Sequence, residues 1–109
     1  TVETDLTDQP EIQAEINFTL GKTYFGQGKY TKAREQLVKA KERFSQISSD
    51  NLLKQKQIDI AIGATDFFEG GKFDNDLMLR DAVLYFRSNI DKSEEHKKWY
   101  AVSLNVLAL

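Results

Sequence analysis

The chain is predicted to be all-α, because three features of the sequence leave the helix as its only regular structure. A single proline, Pro10, stands among 109 residues, so almost nothing interrupts helical hydrogen bonding. Apolar residues recur at spacings of three and four in five successive stretches. Sustained two-residue alternation and Asn-Gly hairpin turns are missing, and threonine or valine clusters are few.

Asp8 followed by Glu11 forms a capping-box pair, with Pro10 tolerated in the first turn of the helix it opens. Ile12, Ile16, Leu20 and Tyr24 then recur every four residues as one apolar stripe, and Gly26 and Gly28 end the segment. The second helix carries Tyr30, Ala33, Leu37, Ala40, Phe44 and Ile47 among strong helix formers, and Ser48 to Asp50 offers a stop and a new N-cap. A third helix is expected from about Asn51 to Phe68, with Ile58, Ile62 and Phe67 roughly on one face, before a break at Gly70-Gly71. Phe73 to Leu77 reads as a turn or a ragged helix start. Leu79, Ala82, Val83, Phe86 and Ile90 mark a fourth helix. Asp91 with Glu94 is a second capping-box pair, opening a fifth that carries Trp99, Val102 and Val106 on one side.

The net charge of −2 gives no electrostatic case for nucleic acid, and the absence of cysteine excludes disulfides, thiolate metal sites and thiol nucleophiles. No apolar run approaches the roughly 20 residues that span a bilayer. The acidic stretch Thr1 to Asp8 is the opposite of a signal or transit peptide, and a chain that starts at threonine reads as a soluble, cytoplasmic excerpt of a longer protein, itself either soluble or membrane-anchored. Charge is uneven: the first segment is acidic, while Lys29, Lys32, Arg34, Lys39, Lys41 and Arg43 make the second helix basic. That basic face is either a docking surface for an acidic partner or a solvated face beside an acidic neighbour.

Sites of chemistry do not assemble, and no catalytic, metal or cofactor residue is expected. Gly21-Lys22-Thr23 mimics the end of a phosphate loop, but Ile16 stands where the motif needs glycine and the triplet lies within a helix. His96, the single histidine, has no second ligand at helical spacing and is expected to face solvent. Asp74 to Asp76 lacks the glycine and distal glutamate of a calcium loop. Asn17-Phe18-Thr19 fits a glycosylation sequon inside a helix, where it reads as accidental.

Two glycines, Gly21 and Gly63, lie 42 residues apart, each after a branched aliphatic residue and four before an aromatic. The turn Gly28-Lys29-Tyr30 recurs as Gly71-Lys72-Phe73 at a spacing of 43, which predicts one extra residue in the second unit. Leu20-Gly21-x-x-Tyr24, Gly28-x-Tyr30-x-x-Ala33, Leu37 and Ala40 together resemble the tetratricopeptide repeat. The resemblance spans Ile12 to Phe44 and extends in part over Ile58 to Ile90 and Trp99 to Val106. In the second unit the equivalent of Ala33 falls at Asp76, or at Ala82 if Leu77 to Arg80 are an insertion. The period is similar to the elongated repeats of bacterial regulatory proteins, and Asp8-Gln9-Pro10-Glu11 resembles repeat arrays of bacterial serine/threonine kinases and winged-helix regulators.

The resemblance implies antiparallel helix pairs stacked as a short right-handed solenoid. Its first repeat would cover about residues 9–48, its second about 50–91, and a half repeat 92–109, all in one domain. It implies a protein-interaction or scaffold module of a regulatory or signalling protein, not an enzyme, with a protein or peptide as partner. Phe18, Lys22 and Phe25, with Glu15 nearby, occupy the positions that line the family's concave groove. Phe18 or Phe25 instead packing against the third helix is the competing reading. The final helix lacks its repeat partner, so Trp99, Val102, Val106 and Leu109 are expected to form an apolar face that either a second copy of the chain or a continuation of the chain covers.

Overall fold

Five helices follow one another in the computed structural model, which describes residues 9–47, 52–70 and 76–107. They are α1 (Pro10–Gly26), α2 (Tyr30–Gln46), α3 (Leu52–Gly70), α4 (Asp76–Ser88) and α5 (Glu94–Leu107). No strand occurs among the described residues. α1 and α2 make one antiparallel pair, α3 and α4 a second, and α5 packs on α4 and α3. Each pair stacks on the next through α2 with α3, while α1 also touches α3. The all-α, paired-helix architecture expected from the sequence is therefore present.

The first hairpin turns at Gly28, which adopts φ 75°. The Lys29 N–H donates to the Tyr24 carbonyl at 2.9 Å and the Gly28 N–H to the Phe25 carbonyl at 3.0 Å. These two bonds satisfy the last carbonyls of α1, and only glycine takes the left-handed conformation between them without strain. The helix starts are simpler than expected. Asp8 lies outside the described residues, and α1 begins at Pro10 behind Gln9, which makes no side-chain cap. At α5 the cap is Ser93, not Asp91: its Oγ accepts the His96 N–H at 3.1 Å. Asp91 sits a turn too early for the orphan amides of a helix that starts at Glu94.

Hydrophobic burial follows the second helix as read: Ala33, Leu37, Ala40 and Phe44 are all in the core. In α1 the expectation is reversed. Its buried residues are Ala14, Asn17, Phe18 and Gly21, while Ile12, Ile16 and Leu20 remain 45%, 40% and 38% exposed. Central α3 is buried on several sides, from Gln57 through Ile60 and from Ile62 through Asp66, which is why no single stripe marks it. Two clusters fill the interior. One joins Phe18, Leu37, Ala40, Phe44, Ile58 and Ile62, the other Ile60, Leu79, Ala82, Phe86 and Val106. Trp99 packs against both.

The repeat is more regular in space than in sequence. A Cβ placed on Gly21 would lie 2.6 Å from Leu37 Cδ2, and one on Gly63 would lie 3.2 Å from Leu79 Cδ1. Leu37 and Leu79, Ala40 and Ala82, and Phe44 and Phe86 are buried pairs, each 42 residues apart like the glycines. No extra residue therefore intervenes between Gly63 and α4, and Ala82 answers Ala40, not Ala33. Gly71 to Phe73, which carried the spacing of 43, lies outside the described residues.

Polar contacts then lock the two hairpins together. Thr31 Oγ1 donates to Glu69 Oε2 at 2.7 Å, Arg34 Nε pairs with Asp66 Oδ1 at 2.8 Å, and Lys41 Nζ lies 2.6 Å from Asp59 Oδ1. Each step forward along α2 is matched by an equal step back along α3, as one antiparallel register requires. The basic face of α2 is thus partly spent on α3, while Arg43 donates to Asn17 of α1. Both aspartates are buried. Burial pushes the Asp59 carboxyl above its ordinary range, and the hydrogen bond and charge of Lys41 pull it back in part.

Two outcomes follow. Gly21→Ala should cost about 1–3 kcal/mol in urea unfolding, because its methyl meets Leu37 well inside van der Waals contact. Gly63→Ala should cost less, since the end of Leu79 can yield by tenths of an ångström and alanine returns about 1 kcal/mol of helix propensity. For Asp59, a raised folded-state pKa makes its contribution most favourable below the unfolded value and removes it as pH rises through the folded value. Asp59→Asn should therefore match or exceed the parent in stability at pH 7 and lose that relative gain towards about pH 4. Denaturation at a series of pH values reads the difference directly; a variant much weaker at neutral pH would contradict it.

Candidate functional site

Stacking the hairpins leaves a concave groove walled by α1, α3 and α5, with a volume of about 390 Å³. Its floor and walls are apolar: Phe25 from α1, Ile60, Ala64 and Phe68 from α3, Trp99, Val102 and Val106 from α5. Lys22 and Asn105 supply its polar side chains. Lys22, Ala64 and Val106 follow one another at the 42-residue interval, so the groove is a property of the repeat.

Phe25 is held by its neighbours at the hairpin end. Its ring meets Tyr30 and Phe68 edge-on, both at 5.6 Å between centroids, while Tyr30 stacks on Phe68 at 6.0 Å. Phe68 stays 48% exposed and forms one lip. Trp99 lies between Phe18 at 6.4 Å and Phe86 at 6.3 Å, and its Nε1 donates to Glu95 Oε1 at 3.2 Å. Gln57 Nε2 donates to the same oxygen at 3.2 Å, tying α5 to α3 under the groove.

The four expected groove residues separate. Lys22 and Phe25 line the groove, but Phe18 is buried beneath Trp99 as a core residue. The Lys22 ammonium rests 4.4 Å above the Phe18 ring, where the face of the aromatic holds the cation. Glu15 lies outside the groove and pairs with Lys54 at 3.2 Å. From the expected self-pairing set, Trp99, Val102 and Val106 face this same groove, and Val106 also belongs to the core. Leu109 lies outside the described residues. Phe68 and Ala64 were not singled out by the sequence, although the 42-residue interval from Lys22 points at Ala64.

The other polar residues that the sequence points to are held by local hydrogen bonds. His96 is buried, contrary to the solvent-facing position expected of it: Ser93 Oγ lies 2.7 Å from Nδ1 and Tyr85 Oη 3.3 Å from Nε2. Thr23 of the Gly-Lys-Thr triplet donates to the Thr19 carbonyl at 2.9 Å inside α1, so no phosphate cradle forms. Asn17 of the sequon is buried and donates to Gln36 Oε1 at 2.7 Å. No group of three metal-ligating side chains comes together among the described residues. No described helix is long and apolar enough to cross a membrane. No family model, curated protein or solved structure matches the chain.

The two valines of α5 should respond differently to charge. Val106→Asp places a carboxylate within the second cluster and should cost about 3 kcal/mol or more. Val102→Asp, at the half-buried groove wall, should cost distinctly less and keep the helical circular dichroism. Equal losses at both sites would mean that the groove wall is as tightly packed as the core.

Proposed function

We propose that the chain is a tetratricopeptide-like interaction module that receives an apolar segment of a partner protein in the groove between α1, α3 and α5. The observation that carries this reading is the composition of that groove: a preformed concavity of aromatic and aliphatic side chains with a single lysine at its wall. Such a surface supplies contact area and desolvation for an anchoring side chain, and Lys22 adds a point of orientation for a carboxylate or carbonyl. Reaction chemistry has less to work with, since no acid and base converge there. The setting that fits is a scaffold within a regulatory or signalling protein of the cytoplasm, as in the bacterial arrays the sequence resembles.

Trp99 is the single tryptophan and lines the groove, so its fluorescence reports on occupancy. Peptides selected on the folded chain from a displayed library should shift Trp99 emission. Phe68→Ala should weaken them by roughly tenfold or more while the chain keeps its helical circular dichroism and a cooperative, if somewhat lower, melting transition, since half of that residue is already in water. Binders that leave the emission unmoved and tolerate the substitution would place recognition elsewhere and sink the proposal.

A further inference from the structure

The outer face of α1 carries an apolar ridge that the described fold covers only in part. Ile12, Ile16 and Leu20 line a shallow concavity there with Glu11, Glu15 and Thr19. The repeat interval gives this ridge a meaning. Ile58 and Ile62 of α3 are the residues 42 positions after Ile16 and Leu20, and they are 0% and 4% exposed. What covers them is α2: both sit in the cluster built on Leu37, Ala40 and Phe44. The molecule therefore displays, one repeat later, the occupant that fits the α1 ridge.

We infer that the outer face of α1 is a seat for a helical hairpin of this chain's own repeat type, whose second helix presents a leucine, an alanine and a phenylalanine at the spacing of Leu37, Ala40 and Phe44. A second copy of the chain has no such helix to give. Its Leu37, Ala40 and Phe44 are already beneath α3, and its Leu79, Ala82 and Phe86 are equally buried. The seat is less ionic than the one in α3. Asn17 and Tyr24 stand where α3 has Asp59 and Asp66, so the buried ion pairs of the α2–α3 contact have no counterpart here. Glu11 flanks the ridge instead, beside a Glu15 that already pairs with Lys54, which favours an occupant with lysine or arginine next to its apolar stripe, as α2 has.

The test uses the full chain carrying one extra copy of its residues 9–50 ahead of Gln9, so that the added hairpin is presented at high effective concentration. Seating predicts one cooperative transition with a melting temperature higher by about 5 °C. Ile16→Lys in the downstream copy should abolish that rise. In the unextended chain the same substitution should cost little, because Ile16 is 40% exposed there. An Ile16→Lys effect equal in the two chains, or a separate low-temperature transition for the added unit, would overturn the inference. Light scattering on the unextended chain distinguishes the other occupant: a dimer that Ile16→Lys dissociates would assign the ridge to a second copy and overturn it as well.

Discussion

α1 and α2 meet closely where Gly21 lies against Leu37 with no room for a β-carbon. That contact sets how near the two helix axes come, and the rest of the packing depends on it. Leu37 reaches across to α1 and remains fully buried, Phe18 fills the space one turn back, and Ala33 keeps its side of the crossing thin. The same arrangement recurs at Gly63 and Leu79. Two hairpins of the same shape stack with their first helices side by side, and the groove is the hollow that those first helices enclose with α5.

Burial alone does not fix the angle at which one hairpin sits on the next, because apolar side chains slide without a large penalty. The α2–α3 contact adds discrete marks. Arg34 with Asp66 and Lys41 with Asp59 can pair only in one register, and a shift by one turn would leave two buried carboxylates without cations. The net stabilisation from such pairs is small, since taking Asp59 out of water costs enough to raise its pKa. Their effect is on geometry: they hold α3, and with it Ile60, Ala64 and Phe68, at a fixed place in the groove wall.

How much of this is legible in the sequence depends on how each residue signals. α2 is read correctly because its apolar residues alternate steps of three and four, which keeps them on one side of a helix. The four-residue step of Ile12, Ile16 and Leu20 drifts by only about 40° each time, so it does mark a face, but that face is the outer one, which stays partly in solvent. The true inner face of α1 is hidden in a small residue, an amide, one phenylalanine and a glycine, types that hydrophobicity does not flag. Lys22 and Phe25 follow from the resemblance, whereas Ala64 is visible only once the 42-residue interval is applied to Lys22, and Phe68 is masked by its neighbour Phe67. Buried Asp59 and Asp66 could be inferred only with the basic helix opposite them, because a charge reveals its burial through its partner. His96 illustrates the same point: its two hydrogen-bond partners, Ser93 and Tyr85, lie three and eleven residues away, at a helix start and on another helix.

α1 is therefore asked to do different things on its different sides. Its inner face is committed to Leu37 and the core, its groove edge offers Lys22 and Phe25, and its outer ridge carries Ile16 and Leu20 where α3 has the buried Ile58 and Ile62. The groove and ridge place opposite demands on evolution of the sequence. A groove needs its side chains fixed and its volume left open, which the stacked rings of Tyr30, Phe68 and Phe25 secure. A seat needs branched aliphatics that can be covered at no polar cost, and Ile12, Ile16 and Leu20 supply them while Glu11 and Glu15 keep the uncovered face hydrated. Occupying the ridge would leave the groove lining untouched, because the two surfaces share no residue. On the proposed reading, extension at one face and binding at the other draw on separate side chains of α1.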